Sequence, residues 1–235
     1  MTTKSAVTRA QRQAAEEAVR AAGDRALLVT PQRRDLVAQL VTALRDRPVP
    51  GVQDLLPAAE TVLLTLESPR AGEAVRHALT TLLISLHAEQ PAGVSRGTLP
   101  DNAFRGDPVS IPVRYDGADL DDVARLLELT TAEVIAAHTG TVWRCAFVGF
   151  APGFGYLESP DGRLSVPRRA QARTVIPAGA VALAGGYSAV YPRSTPGGWQ
   201  LIGSTDLKMW DVERDPPAVI RAGVTVRFVD ARSGG

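Results

Sequence analysis

The sequence contains one cysteine, two lysines and no long apolar run among its 235 residues. A single cysteine excludes an intrachain disulfide framework and fits a reducing compartment, so we expect Cys145 to behave as a small buried apolar residue. No stretch of about 18 apolar residues is present to span a bilayer, and the amino end lacks the apolar core of a signal peptide. We therefore expect a cytoplasmic protein without a membrane partner.

Charge and missing motifs exclude further classes of protein. The net charge is +1, with acidic and basic residues mixed along the chain, so we expect no nucleic-acid partner. The chain has neither a G-x-x-x-x-G-K-[ST] phosphate loop nor a G-x-S-x-G elbow, and its three histidines lack metal-ligand spacing. We expect no metal site and no ATP bound by this chain alone.

The first part of the chain alternates short apolar runs with helical segments. RALLVT and TVLLTL have the length of strands, and each precedes a segment with apolar residues at helical spacing. This pattern predicts a small α/β domain over residues 23–105, with a polar, alanine-rich helical extension over residues 1–22. The segment Gln90 to Pro108, rich in proline, glycine and polar residues, is the predicted linker.

The second part, residues 106–235, reads mainly as strands and turns. VSIPV alternates apolar and polar residues, and its proline favours an edge or an end of a sheet. Two short helices follow, with Asp119 and Asp122 at cap spacing and Thr130 and Glu133 as a capping box. The remaining apolar segments are short and separated by glycine or proline, as in a sandwich or barrel.

One segment, FVGFAPGFGYL from Phe147 to Leu157, places large rings beside glycines and a proline. Glycine permits close approach of a ligand or a second chain, and the rings supply contact area. The segment either lines a groove or forms a tight barrel corner with core aromatics. Its candidate binding residues are Phe150, Pro152, Gly153, Phe154 and Tyr156.

A second glycine turn, STPGGW, adds Gly198 and Trp199 as candidates for an opposite groove wall, unless it is a hairpin with a core tryptophan. Between the two turns lie Arg163, Arg168 and Arg173. Guanidinium groups bind carboxylates through two parallel hydrogen bonds, so these arginines are candidates for binding an acidic substrate, unless they form an exposed basic rim.

His138 is the one histidine with a candidate catalytic role. It lies at the end of the capped helix, directly before the strand that leads into the glycine-rich segment. It is either a general base or hydrogen-bond donor at the groove, or a residue that satisfies the last carbonyls of the helix.

The ordered segments GFAPGFGYL, RLSVPRRAQARTVIPAG and AGGYSAVYPRSTPGGWQLIGST resemble the family of the 5-oxoprolinase B-type subunit, also called allophanate hydrolase subunit 1, which includes KipI. The resemblance extends from about Ala22 to the end of the chain. It implies an α+β protein in which a small α/β amino-terminal domain precedes a cyclophilin-like β-barrel. With it, we favour the groove for Phe147 to Leu157.

The resemblance also implies partners and an activity. Members typically work with a homologous C-type subunit, which is allophanate hydrolase subunit 2-like, and with an A-type subunit, in the ATP-dependent opening of 5-oxoproline to glutamate. We therefore expect a subunit of a hydrolase complex that is inactive alone, with a small acidic substrate. The alternatives are a KipI-like inhibitor of a sensor histidine kinase and a subunit of an allophanate or urea carboxylase system. The barrel fold also allows a proline isomerase, which we rank last because a shared fold does not imply a shared function.

Two departures from the family pattern affect the details. Where members usually read Gly-Arg-Thr-Pro after the tryptophan strand, this chain has Gly203, Ser204, Thr205 and Asp206, which puts an anion contact there in doubt. Tyr187 and Ser188 replace a common Gln-Thr pair. We expect both changes to bear on substrate identity.

Overall fold

The computed structural model describes residues 9–33, 35–88 and 107–232. The chain forms two compact units; the described part of the first is residues 9–33 and 35–88, and that of the second is residues 107–232. The predicted linker, Gln90 to Pro108, lies almost entirely outside the described residues.

The first unit is a four-stranded antiparallel sheet covered by helices. Its elements are α1 (Arg9–Glu17), β1 (Val19–Ala21), β2 (Ala26–Val29), α2 (Asp35–Asp46), β3 (Val52–Pro57), β4 (Val62–Leu66), a 3-10 turn (Pro69–Ala71) and α3 (Gly72–Ala88). The strand order is β1-β2-β4-β3. The predicted apolar face of α2 is buried over all five of its residues, which are Leu36, Val37, Leu40, Val41 and Leu44.

The amino-terminal extension differs from its prediction. Its helix ends at Glu17, and Val19–Ala21 pairs with β2 as the edge strand of the sheet. Ala15 and Val19 are buried in the core of the first unit, so the described part of the segment belongs to the fold of that unit rather than forming a separate helical extension. Its alanine-rich composition has helical propensity, but the open edge of β2 supplies partners for the backbone of the last residues.

The second unit is a barrel-like sheet with two helices. Its elements are β5 (Val109–Val113), α4 (Leu120–Leu126), α5 (Thr131–Gly140), β6 (Val142–Val148), β7 (Gly155–Glu158), β8 (Arg173–Ile176), β9 (Ala180–Ala184), β10 (Tyr187–Val190), β11 (Thr195–Gly197), β12 (Gln200–Ser204) and β13 (Thr225–Asp230). Seven strands form one sheet in the order β12-β9-β10-β7-β6-β13-β5, and β8 pairs with β11 as a separate ribbon. The sheet is nearly closed, because an isolated bridge joins Arg114, next to β5, with Ser204 of β12.

Several local predictions are confirmed in this unit. β5, which carries Pro112, lies at an end of the sheet order and pairs only with β13 within the sheet. Thr130 and Glu133 form the capping box of α5, with both reciprocal hydrogen bonds present. Cys145 is a free thiol with no exposed surface, and burial raises its pKa to about 12.

None of the helices in the described ranges has the length and apolar character needed to cross a bilayer.

Candidate functional site

The two glycine-rich turns meet at an open groove of about 330 Å³ in the second unit. The residues lining it are Phe150, Phe154, Tyr156, Arg168, Arg169, Ala170, Ala172, Tyr191, Pro196, Gly197, Gly198 and Trp199. Six residues predicted from the sequence are therefore brought together, namely Phe150, Phe154, Tyr156, Arg168, Gly198 and Trp199. Phe154 fits both interpretations of the aromatic segment, groove wall and core, because its side chain lines the groove while being only 2% exposed.

Ring contacts hold the groove walls together around Phe154. Its ring packs edge-to-face against Phe150, Tyr191 and Trp199, with centroid distances of 5.1, 5.3 and 5.6 Å. Edge-to-face pairs at these distances are favourable. Phe150 is 57% exposed, so it offers apolar surface to a ligand or a partner.

Backbone conformation and a close contact explain why Gly153 stands in the first turn. Phe150 and Gly153 both have positive φ angles, 67° and 82°. A methyl group on Gly153 would also lie 2.9 Å from Cβ of Trp210, so a bare backbone is needed for this close approach. Gly153 thus shapes the turn rather than lining the groove, and Pro152 is exposed in the same turn without lining the groove.

The STPGGW turn forms another wall of the groove. Its first residues form β11, which pairs with β8. A Cβ on Gly197 would lie 2.5 Å from the hydroxyl oxygen of Tyr191 and 2.7 Å from a methyl group of Ile176, so a bare backbone is needed for this turn to pack against the buried Tyr191. The Trp199 side chain is both buried, at 5% exposure, and part of the lining.

The polar side chains lining the groove are the phenols of Tyr156 and Tyr191 and the guanidinium groups of Arg168 and Arg169, the latter bound to Asp119. Burial raises the pKa of Tyr156 and of Tyr191 above the usual value, and the positive charge of Arg168 offsets part of that rise. Both phenols are therefore neutral at pH 7 and able to donate. Within the described ranges, Arg168 makes no ion pair, so its guanidinium is available to an acid.

The other two predicted arginines are placed differently. Arg163 is exposed, pairs with Asp161 and does not line the groove. Arg173 donates two hydrogen bonds to the carboxylate of Asp119, of 2.8 and 2.7 Å, so its fork is already occupied. Of the three arginines predicted to bind an acid, Arg168 alone lines the groove, and it has no ion-pair partner among the described residues.

Asp119 has a role that its sequence context did not indicate. It occupies the N-cap position of α4, but its side chain makes no capping hydrogen bond, so the cap predicted from spacing is wrong. Its carboxylate instead accepts from Arg169, Arg173 and the backbone amide of Leu201. Burial alone would raise its pKa, but the hydrogen bonds from Arg173 and Leu201 and the charges of both arginines outweigh burial and hold the pKa below its usual value.

His138 lies in the core and not at the groove. It has no exposed surface, and burial lowers its pKa to about 3. Its ring nitrogens lie 2.8 Å from the hydroxyl of Tyr115 and 2.9 Å from that of Ser188, and the ring stacks on Phe228. A neutral imidazole with both nitrogens engaged is placed as a structural group, and neither predicted role, base or helix terminator, describes its contacts.

The residues that depart from the family pattern also have defined partners. Ser204 donates to the carboxylate of Asp116 over 2.9 Å, and Asp206 pairs with Arg114. These contacts lie where the barrel closes, so this stretch contributes to the seam of the barrel. Ser188 is the buried partner of His138.

No metal site was found in the part of the chain that the structure describes, since no three His, Cys, Asp or Glu side chains come together there. The groove lining likewise contains no His, Cys, Ser, Asp or Glu among the described residues. The arrangement is suited to bind and orient a small acid or carbonyl compound through Arg168 and the two phenols.

These features define a two-unit α+β protein with a barrel that carries an aromatic, arginine-bordered groove. Residues 17–220 match the family described as carboxyltransferase domain, subdomain C and D. The chain belongs to this family and, within it, to the relatives named as the B-type subunit of 5-oxoprolinase.

Two such relatives illustrate the extent of the similarity. The 5-oxoprolinase B-type subunit of Bacillus subtilis is 32% identical over 216 residues, which is 88% of this chain and 90% of that protein. That of Escherichia coli is 45% identical over 138 residues, 57% of this chain and 62% of the relative. The alignment thus spans less than two thirds of the Escherichia coli protein.

The fold recurs in a much larger enzyme. The urea carboxylase of Kluyveromyces lactis superposes on 90% of this chain with a TM-score of 0.63, at 17% identity, and the matched part is 21% of that protein. At this identity the likeness concerns the fold alone. It agrees with the predicted combination of a small α/β unit and a barrel.

Proposed function

We propose that this chain is a subunit of an ATP-dependent 5-oxoprolinase-type complex that opens a small lactam acid, and that its groove forms one wall of a shared site. The observation that carries the proposal is the placement of Arg168, whose guanidinium makes no ion pair within the described ranges, beside two neutral phenols in an aromatic groove. The family membership supports the same reading. The partners are a homologous C-type subunit, which is allophanate hydrolase subunit 2-like, and an A-type subunit, and the complex uses the ATP.

The groove matches the chemistry of 5-oxoproline. Arg168 offers a fork for the carboxylate, and the hydroxyls of Tyr156 and Tyr191 are donors for a carboxylate or lactam oxygen. The faces and edges of Phe150 and Phe154 would pack against the apolar part of the ring. Such a division, apolar walls with a few directed polar groups, is typical of small-molecule sites.

The same lining explains why we propose that the chain is inactive alone. Hydrolysis of an amide needs an activated nucleophile or a general base, and ATP-dependent hydrolysis also needs a phosphate-binding element. Among the described lining residues there is no acidic, histidine, serine or cysteine side chain. These groups are then supplied by the partner proteins of the complex.

A reconstitution experiment tests this function. The purified chain is combined with its C-type and A-type partners, ATP and 5-oxoproline, and the formation of glutamate is measured. We expect glutamate only when all three proteins and ATP are present. Full activity without this chain would contradict the proposal.

A parallel assay addresses the kinase-inhibitor alternative. The chain alone, without its C-type partner, is added to sensor histidine kinases from the same genome, and their autophosphorylation is followed. Inhibition at a stoichiometric ratio together with no role in glutamate formation would favour the KipI-like function.

A further inference from the structure

Asp119 joins two of the three stretches that line the groove, without lining it itself. Besides the aromatic turn around Phe154, the groove is lined by the segment 168–172 and by the turn that ends at Trp199 and runs directly into β12, and these last two are the walls that Asp119 connects. The buried carboxylate, which is 1% exposed, binds the guanidinium groups of Arg169, within the segment 168–172, and of Arg173, directly after it. It also accepts from the backbone amide of Leu201 over 2.7 Å, two residues beyond Trp199.

The backbone reinforces this junction. The amide of Asp119 donates to the carbonyl of Leu201 over 2.9 Å, so these two residues exchange hydrogen bonds in both directions. The amide of Arg169 donates to the carbonyl of Gly198 over 2.8 Å. Arg169 is therefore fixed through its backbone to one wall and through its side chain to Asp119.

The local charges favour the arrangement. Three guanidinium groups, those of Arg168, Arg169 and Arg173, lie within six consecutive residues, and like charges so close repel one another. Asp119 pairs with two of the three, and the third, that of Arg168, has no ion-pair partner among the described residues. Because Arg168 directly precedes the anchored Arg169, the position of its backbone depends on this anchor.

We infer that Asp119 is a positioning residue of the groove, which holds the two walls together through Arg169, Arg173 and Leu201 and thereby places the guanidinium of Arg168 for an acidic ligand. Its position before α4 had indicated a helix cap, yet its side chain makes no capping bond. The inference rests on the proposed function, because it requires that the groove bind an acid.

A double-mutant cycle in the reconstituted complex tests the inference, with 5-oxoproline as the ligand. The variants are Asp119→Asn, Arg168→Ala and the double variant, and the KM for 5-oxoproline and the KM for ATP are measured. We expect each single change to raise the KM for 5-oxoproline roughly tenfold or more, the effect of one charged hydrogen bond, with the KM for ATP unchanged. If Asp119 acts by placing Arg168, the double variant matches Arg168→Ala.

The outcomes separate the inference from the proposed function. An unchanged KM for 5-oxoproline in Arg168→Ala would contradict the groove as the acid site. Additive effects of the two changes, or a lowered KM in Asp119→Asn caused by the freed arginines binding the acid themselves, would overturn the positioning role while the proposed function stands.

Two further variants complete the design. Asp161→Asn is the matched control, because Asp161 is an exposed carboxylate that pairs with Arg163 outside the groove, and we expect it to leave both KM values unchanged. If Asp119→Asn does not fold, Arg173→Lys replaces it in the cycle, because lysine keeps the charge but cannot form the two-bond fork. It should raise the KM for 5-oxoproline by a smaller factor and be non-additive with Arg168→Ala, and additivity would again overturn the inference.

Discussion

The backbones of Arg114 and Ser204 exchange two hydrogen bonds, each of 2.8 Å, and so connect the two ends of the seven-stranded sheet. Their side chains strengthen the same junction, since Arg114 pairs with Asp206 and Ser204 donates to Asp116. The barrel is thus closed at one point where its two end strands would otherwise leave unpaired edges.

Glycine is required at this closure. A Cβ on Gly203 would lie 2.5 Å from the carbonyl oxygen of Arg114 and 2.8 Å from a methyl group of Val113. We expect Gly203→Ala to lower the free energy of unfolding by about 1–3 kcal/mol, the usual cost of forcing extra atoms into a packed region. Thermal and urea unfolding measure this change.

Gly140→Ala is the matched control, because nothing lies within 4 Å of a Cβ at that helix-terminal position. If both variants unfolded at the same temperature, the close approach at Gly203 would not be required for stability.

The fold could be predicted from the sequence wherever local signals agree with tertiary packing. The apolar face of α2 and the capping box of Thr130 and Glu133 are examples, because spacing alone determines both. The sequence did not predict β3, because its burial pattern is mixed and it pairs at the edge of the sheet. The sequence did not predict β7 either, because the strand begins with Gly155, and glycine is uncommon inside strands. The reason for that glycine is a nonlocal contact, since a Cβ there would lie 2.4 Å from Ile220.

The sequence predicted several residues of the groove but not the different role that each residue has there. Phe154 and Trp199 were found because rings beside glycines are unusual in plain strands. The binding of Arg173 to Asp119 joins residues 54 positions apart, and no local pattern distinguishes that arginine from Arg168. The pairing of His138 with Ser188, 50 positions away, is nonlocal in the same way.

Buried His138 should make stability depend on pH. Its pKa is about 3 in the folded protein and near 6.5 when unfolded, so between these values the unfolded state binds one more proton. The stabilising effect is complete above pH 6.5 and is lost as the pH falls. We expect the free energy of unfolding to decrease by up to about 1.4 kcal/mol per pH unit between pH 6 and pH 4.5.

Replacement of this side chain tests the assignment. His138→Gln keeps a donor and an acceptor for Tyr115 and Ser188 but does not titrate, so the variant should be less stable at pH 7 and lose this pH dependence. His77→Gln, at an exposed position, should behave like the original protein. An unchanged pH slope in His138→Gln would assign the dependence to other groups.

The two phenylalanines of the first turn should respond in opposite ways to truncation. Phe154 is 2% exposed, so Phe154→Ala should cost about 3–5 kcal/mol of folding stability. Phe150 is 57% exposed, so Phe150→Ala should leave the melting temperature nearly unchanged while raising the KM for 5-oxoproline in the reconstituted complex. A large loss of stability in Phe150→Ala, with activity falling only in proportion to folded protein, would assign this ring to architecture.

Arg168 and Arg163 form a matched pair for testing acid recognition. Both are exposed, but Arg168 lines the groove without an ion pair in the described part of the chain, whereas Arg163 pairs with Asp161 elsewhere on the same unit. Arg168→Ala should weaken binding of an acidic ligand by about 1.5–3 kcal/mol if the guanidinium makes a charged hydrogen bond shielded from solvent, and Arg163→Ala should have no effect.

The lysine variant examines the geometry of this contact. An ammonium group keeps the charge of Arg168 but cannot form two parallel hydrogen bonds with a carboxylate, so Arg168→Lys should recover only part of the lost affinity. Titration calorimetry with 5-oxoproline on the assembled complex measures all three variants. Full recovery in Arg168→Lys would show that charge alone suffices, and equal losses in Arg168→Ala and Arg163→Ala would show that the groove does not select the acid.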